Sequence, residues 1–292
     1  MSETNYTVLG ILKLTADHFT KKNIPEARLN AEMLLCHVLK CSRMNLYLDF
    51  DKPLKADELN AYRELIKRRQ THEPLQYILG TASFYRSDFK VNKNVLIPRQ
   101  ETEILVETFL NDIKDIEGPF NIFEVGTGTG CISISIAKEL QAIGKEFSIS
   151  AIDISNEAVK IADENKKNIL SNDLNTSNVS FLVQDLFAMS VIDDKFTYII
   201  SNPPYIPKKE IEATEPQVKD FEPMEALTDG GEGIKFYRKI IEMSKGASRK
   251  IYFEIAYNAK EKLETLMKEM NVSNYRFVKD HSNNDRVLVI EL

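Results

Sequence analysis

The hydrophobic pattern divides the chain near residue 80. Before that point apolar positions recur at helical spacing. Val8, Leu9, Leu12 and Phe19 fall on one face of a first segment. Leu29, Met33, Leu34, Cys36, His37 and Val38 supply the stripe of a second helix. Ile24-Pro25-Glu26 opens it, with Pro25 suited to the first turn. A third helix is expected over 56–70, closing on Lys67-Arg68-Arg69, where basic side chains suit the helix dipole. The stretch 84–91 alternates in part and is rich in aromatic and β-branched residues, which predicts a short hairpin.

From about Asn121 the pattern changes to strands separated by helices. Strands are expected over 122–125, 147–152, 179–183, 196–200 and 250–255. Helices are expected over 132–140, 156–169, 234–244 and 259–270. Two closing strands, 275–278 and 286–292, have no room for a helix between them and should pair antiparallel. The alternation implies an α/β fold, a Rossmann-like, mostly parallel seven-stranded sheet with helices on both faces. The expected division is a helical domain over 1–80, a β-hairpin linker over 81–97 and the α/β domain over 98–292.

Composition narrows the class. The chain has 292 residues, 43% hydrophobic and 28% charged, which excludes dominant disorder. Acidic residues outnumber basic ones by 44 to 38. Residues 1–80 hold 12 basic and 10 acidic side chains, so the remainder carries a net −8. That balance argues against stable nucleic-acid binding. Cys36, Cys41 and Cys131 form no C-x-x-C pair and the four histidines are scattered, so no metal site is expected. Met1-Ser2-Glu3-Thr4-Asn5 lacks the features of a leader peptide, and no apolar run approaches the ~18 residues of a membrane span. The expectation is a soluble, cytoplasmic protein without a membrane partner.

Two motifs carry chemistry. The first expected strand runs into Gly126-Thr127-Gly128-Thr129-Gly130, ahead of a helix. Glycines there let a ligand approach the backbone closely. The next strand ends at Asp153, where an acid in such folds holds ribose hydroxyls. The third position of the dinucleotide fingerprint is Cys131, with the last glycine one residue early. That weakens a nicotinamide or flavin reading and suits S-adenosylmethionine, which has no pyrophosphate. After the third strand, Asp185 is a candidate acceptor for an adenine amino group and Leu186 a cover for the ring.

The second motif, Asn202-Pro203-Pro204-Tyr205, follows the fourth strand, at the sheet edge where ligands bind. An amide or exocyclic amino nitrogen is a poor nucleophile because its lone pair is delocalised. Two acceptors, one on each N–H, orient it and favour localisation of that pair. The Asn202 side-chain carbonyl and the Pro203 backbone carbonyl are the candidates, on a chain stiffened by Pro203 and Pro204. Tyr205 offers a flat face to a planar group. Catalysis would then be positioning and electrostatics, with no dedicated base.

With these motifs the sequence resembles the peptide chain release factor N(5)-glutamine methyltransferases. The matching stretches include Pro74-Leu75-Gln76-Tyr77-Ile78-Leu79-Gly80, Leu96-Ile97-Pro98-Arg99, Glu101-Thr102-Glu103, Glu222-Pro223 and Phe236-Tyr237-Arg238. The resemblance implies methyl transfer from S-adenosylmethionine to the glutamine of a Gly-Gly-Gln loop in a release factor. It assigns Gly126 to Gly130, Asp153, Leu186 and Asn202 to the cofactor, and Asn202, Pro203, Pro204 and Tyr205 to the glutamine. The helical module would dock the release factor, with Lys67-Arg68-Arg69 as candidate contacts. Gln100, Ala256, Ala259 and Asn284 depart from the family pattern, and 230–234 looks one residue short. The alternatives are a nucleic-acid methyltransferase acting on the exocyclic amino group of adenine or guanine, a non-catalytic cofactor-binding protein, and a nicotinamide oxidoreductase.

Overall fold

The computed structural model of the protein describes residues 6–170, 178–247 and 249–292. Residues 1–5, on which the absence of a leader was read, lie outside the described set. The chain divides into a helical unit up to Gly80 that also takes in Glu215–Phe221, and a larger unit holding Thr81–Thr214 and Glu222–Leu292.

The helical unit contains α1 (Val8–Lys21), α2 (Ala27–Leu39), α3 (Arg43–Leu48), α4 (Ala56–Arg69) and α5 (Leu75–Leu79). Thr7 caps α1 by accepting a hydrogen bond from the Gly10 N–H. Val8, Leu12, Phe19, Leu34, Leu35 and Tyr62 form its core. Pro25 lies outside α2, which begins at Ala27 after Glu26 in a left-handed conformation. The turn between the helices uses the proline, so the expected place in the helix is corrected. The buried face of α2 is also less apolar than expected. It carries Asn30 and Glu32 beside Ala31, Leu34, Leu35 and Cys36, while Met33 and His37 are only half-buried. Glu32 is fully buried and accepts hydrogen bonds from Arg28, Arg43 and Tyr47, which satisfy its charge.

Arg69 bears on the basic cluster. Its side chain is buried, with its Nε 2.6 Å from Asn30 Oδ1. It also donates to the Glu73 carbonyl and to Gln217 in the returning segment. Lys67 and Arg68 pair with Glu64 and Glu73. Arg69 is therefore a structural clamp inside this unit and no docking contact.

The larger unit opens with the hairpin β1 (Thr81–Phe84) and β2 (Ser87–Lys90). Tyr85 and Arg86 both take positive φ, the two-residue turn that matches strand twist. Then follow α6 (Gln100–Ile113), β3 (Phe120–Val125), α7 (Cys131–Ala142), β4 (Phe147–Asp153), α8 (Asn156–Ile169) and β5 (Val179–Val183). The chain continues through β6 (Tyr198–Ser201), α10 (Met224–Leu227), α11 (Lys235–Ser244), β7 (Lys250–Glu254), α12 (Lys260–Glu269), β8 (Tyr275–Lys279) and β9 (Asp285–Glu291). A short α9 (Pro216–Lys219) lies in the segment belonging to the helical unit.

The seven strands are ordered β5-β4-β3-β6-β7-β9-β8. Among these strands β9 alone runs opposite to the other six, antiparallel to both β7 and β8. Alternating side chains bury on opposite faces. Tyr252 of β7 joins the core formed with α6, α7 and α8, while Ile251 and Phe253 join the core under α11 and α12. Between β3 and β6 the strand order reverses, which opens a crevice at the carboxyl ends of the parallel strands.

Candidate active site

The crevice holds a cavity of about 560 Å³, within the usual range for a small-molecule site. Gly126, Thr127, Gly128 and Thr129 line it from the end of β3, Asp153 from β4, Asp185 and Leu186 after β5, and Asn202 and Pro204 after β6. Those sequence-predicted residues converge on one space. Gly130, Pro203 and Tyr205 are not among its lining residues.

The glycine turn is shaped by backbone pairing and by a buried acid. Gly126, Gly128 and Gly130 all have positive φ. The N–H groups of Gly126 and Thr127 both donate to the Ile152 carbonyl, at 2.9 and 3.0 Å. A Cβ on Gly128 would enter open space, so that glycine leaves the cavity free for a ligand. A Cβ on Gly130 would instead meet Ile134, Phe181 and Ala162 at 2.9–3.2 Å, so this glycine serves helix packing. Thr127 and Thr129 are almost fully buried. The Thr127 hydroxyl donates to Glu124 Oε2, which Ser133 also contacts. Burial pushes the Glu124 carboxyl up to about 8, against the lowering effect of those hydroxyls.

Asp153 Oδ2 accepts the Gly128 N–H at 2.9 Å, and Oδ1 accepts the Ser155 N–H at 2.9 Å. The acid thus joins the turn to the start of α8. Each oxygen keeps acceptor capacity for a ligand hydroxyl. Burial raises its pKa, offset by the backbone N–H groups. Asp185 caps the short turn Leu186–Ala188 by accepting the Phe187 N–H at 2.8 Å. Leu186 is buried against the cavity.

Asn202 begins the second motif. Its Nδ2 donates to the Thr102 hydroxyl at 3.3 Å. With the amide nitrogen held there, Oδ1 is the free acceptor of the side chain. The Asn202 backbone carbonyl lies 3.8 Å from where a Gly126 Cβ would stand, so the two motifs meet across β3 and β6. The Tyr205 hydroxyl donates to Glu254 Oε1 at 3.3 Å, and burial raises the Tyr205 pKa. Pro203 is buried and Pro204 half-buried.

Several contributors carry no local sequence signal. Asn165 on α8 is buried and donates to the carbonyls of Thr129 and Lys90, clamping the glycine turn to the hairpin. Glu222 accepts from Arg99 and from the Ile97 N–H, which joins two stretches beside the cavity. Gln100 is the first residue of α6, where the N–H needs no intrahelical partner and proline is tolerated as well. The Gln100 departure therefore leaves the helix start intact.

The residues present fit S-adenosylmethionine. The open face of Gly128, the spare acceptors of Asp153 and the volume suit a ribose-bearing cofactor without a pyrophosphate.

Comparison with known proteins agrees in both halves. The profile of the PrmC N-terminal domain family matches residues 11–80, and that of a methyltransferase domain matches residues 117–287. A release factor glutamine methyltransferase from Fusobacterium nucleatum is 38% identical over 286 residues, 96% of this chain and 78% of that protein. One from Thermodesulfovibrio yellowstonii is 39% identical, covering 89% of this chain and 91% of its own length. One from Leptospira interrogans is 42% identical over 76% of this chain and 75% of its own. The glycine turn, the acid after β4 and the Asn202 motif thus stand in a chain whose relatives share one name over most of their length. This chain belongs to the release factor glutamine methyltransferase family.

Proposed function

We propose that this chain methylates the side-chain amide nitrogen of a release-factor glutamine, the residue of the Gly-Gly-Gln loop that the sequence resemblance implies. The observation that carries the reading is the tethered Asn202 amide, whose Nδ2 is held by Thr102 so that Oδ1 remains as an acceptor beside the glycine turn.

S-adenosylmethionine, when bound, supplies an electrophilic methyl on a sulfonium. The Gly126–Thr129 backbone gives it close approach, Asp153 accepts from its ribose hydroxyls, and Asp185 and Leu186 receive the adenine. Asn202 Oδ1 and the Pro203 carbonyl accept the two glutamine N–H groups. That pairing turns the nitrogen lone pair away from its own carbonyl and holds it on the line of attack. Tyr205 packs against the flat amide. Once methylated, the nitrogen is acidic and its proton passes to water, so no strong base is needed. The helical unit is the docking surface for the release factor.

Among the described residues no helix is long and apolar enough to cross a membrane. A cytoplasmic location fits a substrate of the translation machinery. Transfer of labelled methyl to a purified release factor, beside transfer RNA and duplex DNA, tests the reading. Label in the protein alone is expected. Label in a nucleic acid alone overturns it in favour of an exocyclic amino-methyltransferase.

A further inference from the structure

The structure assigns Asp229 as a positioning residue that ties the Tyr205 end of the Asn202–Tyr205 motif to the wall of the cofactor cavity. This inference rests on the proposed methyl transfer and concerns the same site. Asp229 lies between α10 and α11, just ahead of the stretch 230–234 that departs from the family pattern. Its carboxylate accepts from the backbone of the loop it begins. Oδ1 takes the N–H groups of Gly231 and Gly233 at 2.8 and 3.0 Å, and Oδ2 takes the Lys235 N–H at 2.9 Å. Burial raises its pKa, but the backbone N–H groups outweigh burial and hold the carboxyl below its ordinary value. At neutral pH it is therefore ionised and only accepts.

The two oxygens hold different things. Oδ1 holds the turn that meets the substrate motif. The Leu227 and Gly231 carbonyls accept the N–H groups of Ile206 and Lys208 at 3.0 and 2.9 Å, so the loop runs beside the chain that leaves Tyr205. Gly233 is buried with φ +77°, and a Cβ there would overlap the Tyr205 carbonyl oxygen. The missing Cβ lets the two backbones touch, and the contact sets how far Tyr205 can shift towards the loop. Placing Gly233 therefore places Tyr205.

Oδ2 holds the first turn of α11. Lys235 is the first residue of that helix, and its N–H has no intrahelical partner. The N-cap residue, Ile234, has no side-chain acceptor, so Asp229 does the work of a cap from six residues upstream. The next residue, Phe236, lines the cofactor cavity. Its ring stands edge-on to Phe187, with centroids 5.0 Å apart and planes at 78°. Phe187 follows Leu186 along the same cavity wall, and the Lys235 ammonium sits over its ring at 4.2 Å.

One carboxylate thus fixes a substrate contact through one oxygen and a cofactor contact through the other. The two can be separated chemically. Asparagine at 229 keeps an Oδ1 acceptor for Gly231 and Gly233. It places an amide donor where the Lys235 N–H needs an acceptor. Alanine removes both acceptors.

The test measures Kd for S-adenosylhomocysteine by calorimetry, and kcat for methylation of an intact release factor at saturating cofactor. It compares wild type, Asp229→Asn, Asp229→Ala, Tyr205→Ala and the double variant Asp229→Ala/Tyr205→Ala. Asp229→Asn is expected to weaken cofactor binding about fivefold and to keep kcat within about twofold. Asp229→Ala is expected to weaken it equally and to lose about tenfold in kcat as well. In the Tyr205→Ala background, Asp229→Ala should cost less than about twofold more in kcat, because it acts through that residue. Should Asp229→Ala fail to fold, the split between Kd and kcat in Asp229→Asn decides. Equal kcat of the two Asp229 variants, an unchanged cofactor Kd in both, or an undiminished kcat loss in the Tyr205→Ala background overturns the inference. A wild type that binds cofactor but leaves the release factor unmethylated overturns the proposed reaction, and the Tyr205 half of the inference with it. The Kd values then still decide the Phe236 half.

Discussion

Gly233 backs directly onto the carbonyl of Tyr205. A Cβ at this glycine would fall inside the Tyr205 carbonyl oxygen and 2.9 Å from its carbon, and φ is +77°. The Asp229 carboxylate holds the loop in place by accepting the N–H groups of Gly231, Gly233 and Lys235 at 2.8–3.0 Å. Gly233→Ala must push Tyr205 from its seat. The expected result is a loss of about 10–100-fold in kcat for release-factor methylation, as for other misplacements of about 1 Å. Cofactor Kd should stay within about twofold, since Gly233 does not line the cavity. Calorimetry and initial rates on one preparation check both.

The glycines of the cofactor turn should separate by what each one faces. Gly130→Ala meets packed side chains at positive φ and is expected to destabilise the fold by about 2 kcal/mol. Gly128→Ala enters the open cavity, at a smaller cost of about 1 kcal/mol for its backbone conformation. Its main effect should be weaker cofactor binding, by about tenfold or more. Urea denaturation and cofactor titration distinguish the two.

Glu124 makes stability depend on pH. Its folded pKa of about 8 lies above the ordinary 4.5. The contribution is therefore complete below about pH 4.5 and is lost as pH rises through about 8. Relative to Glu124→Gln, wild type should lose stability with rising pH by at most about 1.4 kcal/mol per unit in that window. Glu254 titrates in the same direction but is common to both proteins, so their difference isolates Glu124. Chemical denaturation from about pH 5 to about 9 measures it. A difference that does not change with pH contradicts the buried-acid account.

The ion pair of Arg99 and Glu222 is unevenly exposed, with 34% of the Arg99 side chain accessible and 1% of Glu222. Arg99→Ala leaves a buried carboxylate without its cation and should cost about 3 kcal/mol. Glu222→Gln keeps an acceptor for the Ile97 N–H and leaves Arg99 partly solvated, so it should cost about 1 kcal/mol. Denaturation midpoints that reverse this order contradict the assignment.

The sequence showed those parts of the fold that rest on local rules. Alternation in β3 to β7, the missing helix between β8 and β9, and the glycine turn each leave a short-range pattern. Parts built from distant partners left none. Ile97 and Glu222 are 125 residues apart, and Asn165 reaches back 36 residues to Thr129. Glu254 left no local signal, because strand order is what brings it to Tyr205. Pro25 misled because proline suits a pre-helical turn as well as a first helical turn. Arg69 misled because composition cannot tell a solvated arginine from a buried clamp.

The central claim is that Asn202 presents its amide oxygen to a glutamine nitrogen. The most direct test is tandem mass spectrometry of a release factor incubated with S-adenosylmethionine and either wild type or Asn202→Ala. The account expects a single methyl on the side-chain nitrogen of the Gly-Gly-Gln glutamine with wild type. With Asn202→Ala it expects at least about a hundredfold less. Methyl on any other residue, or undiminished methylation by Asn202→Ala, would contradict it.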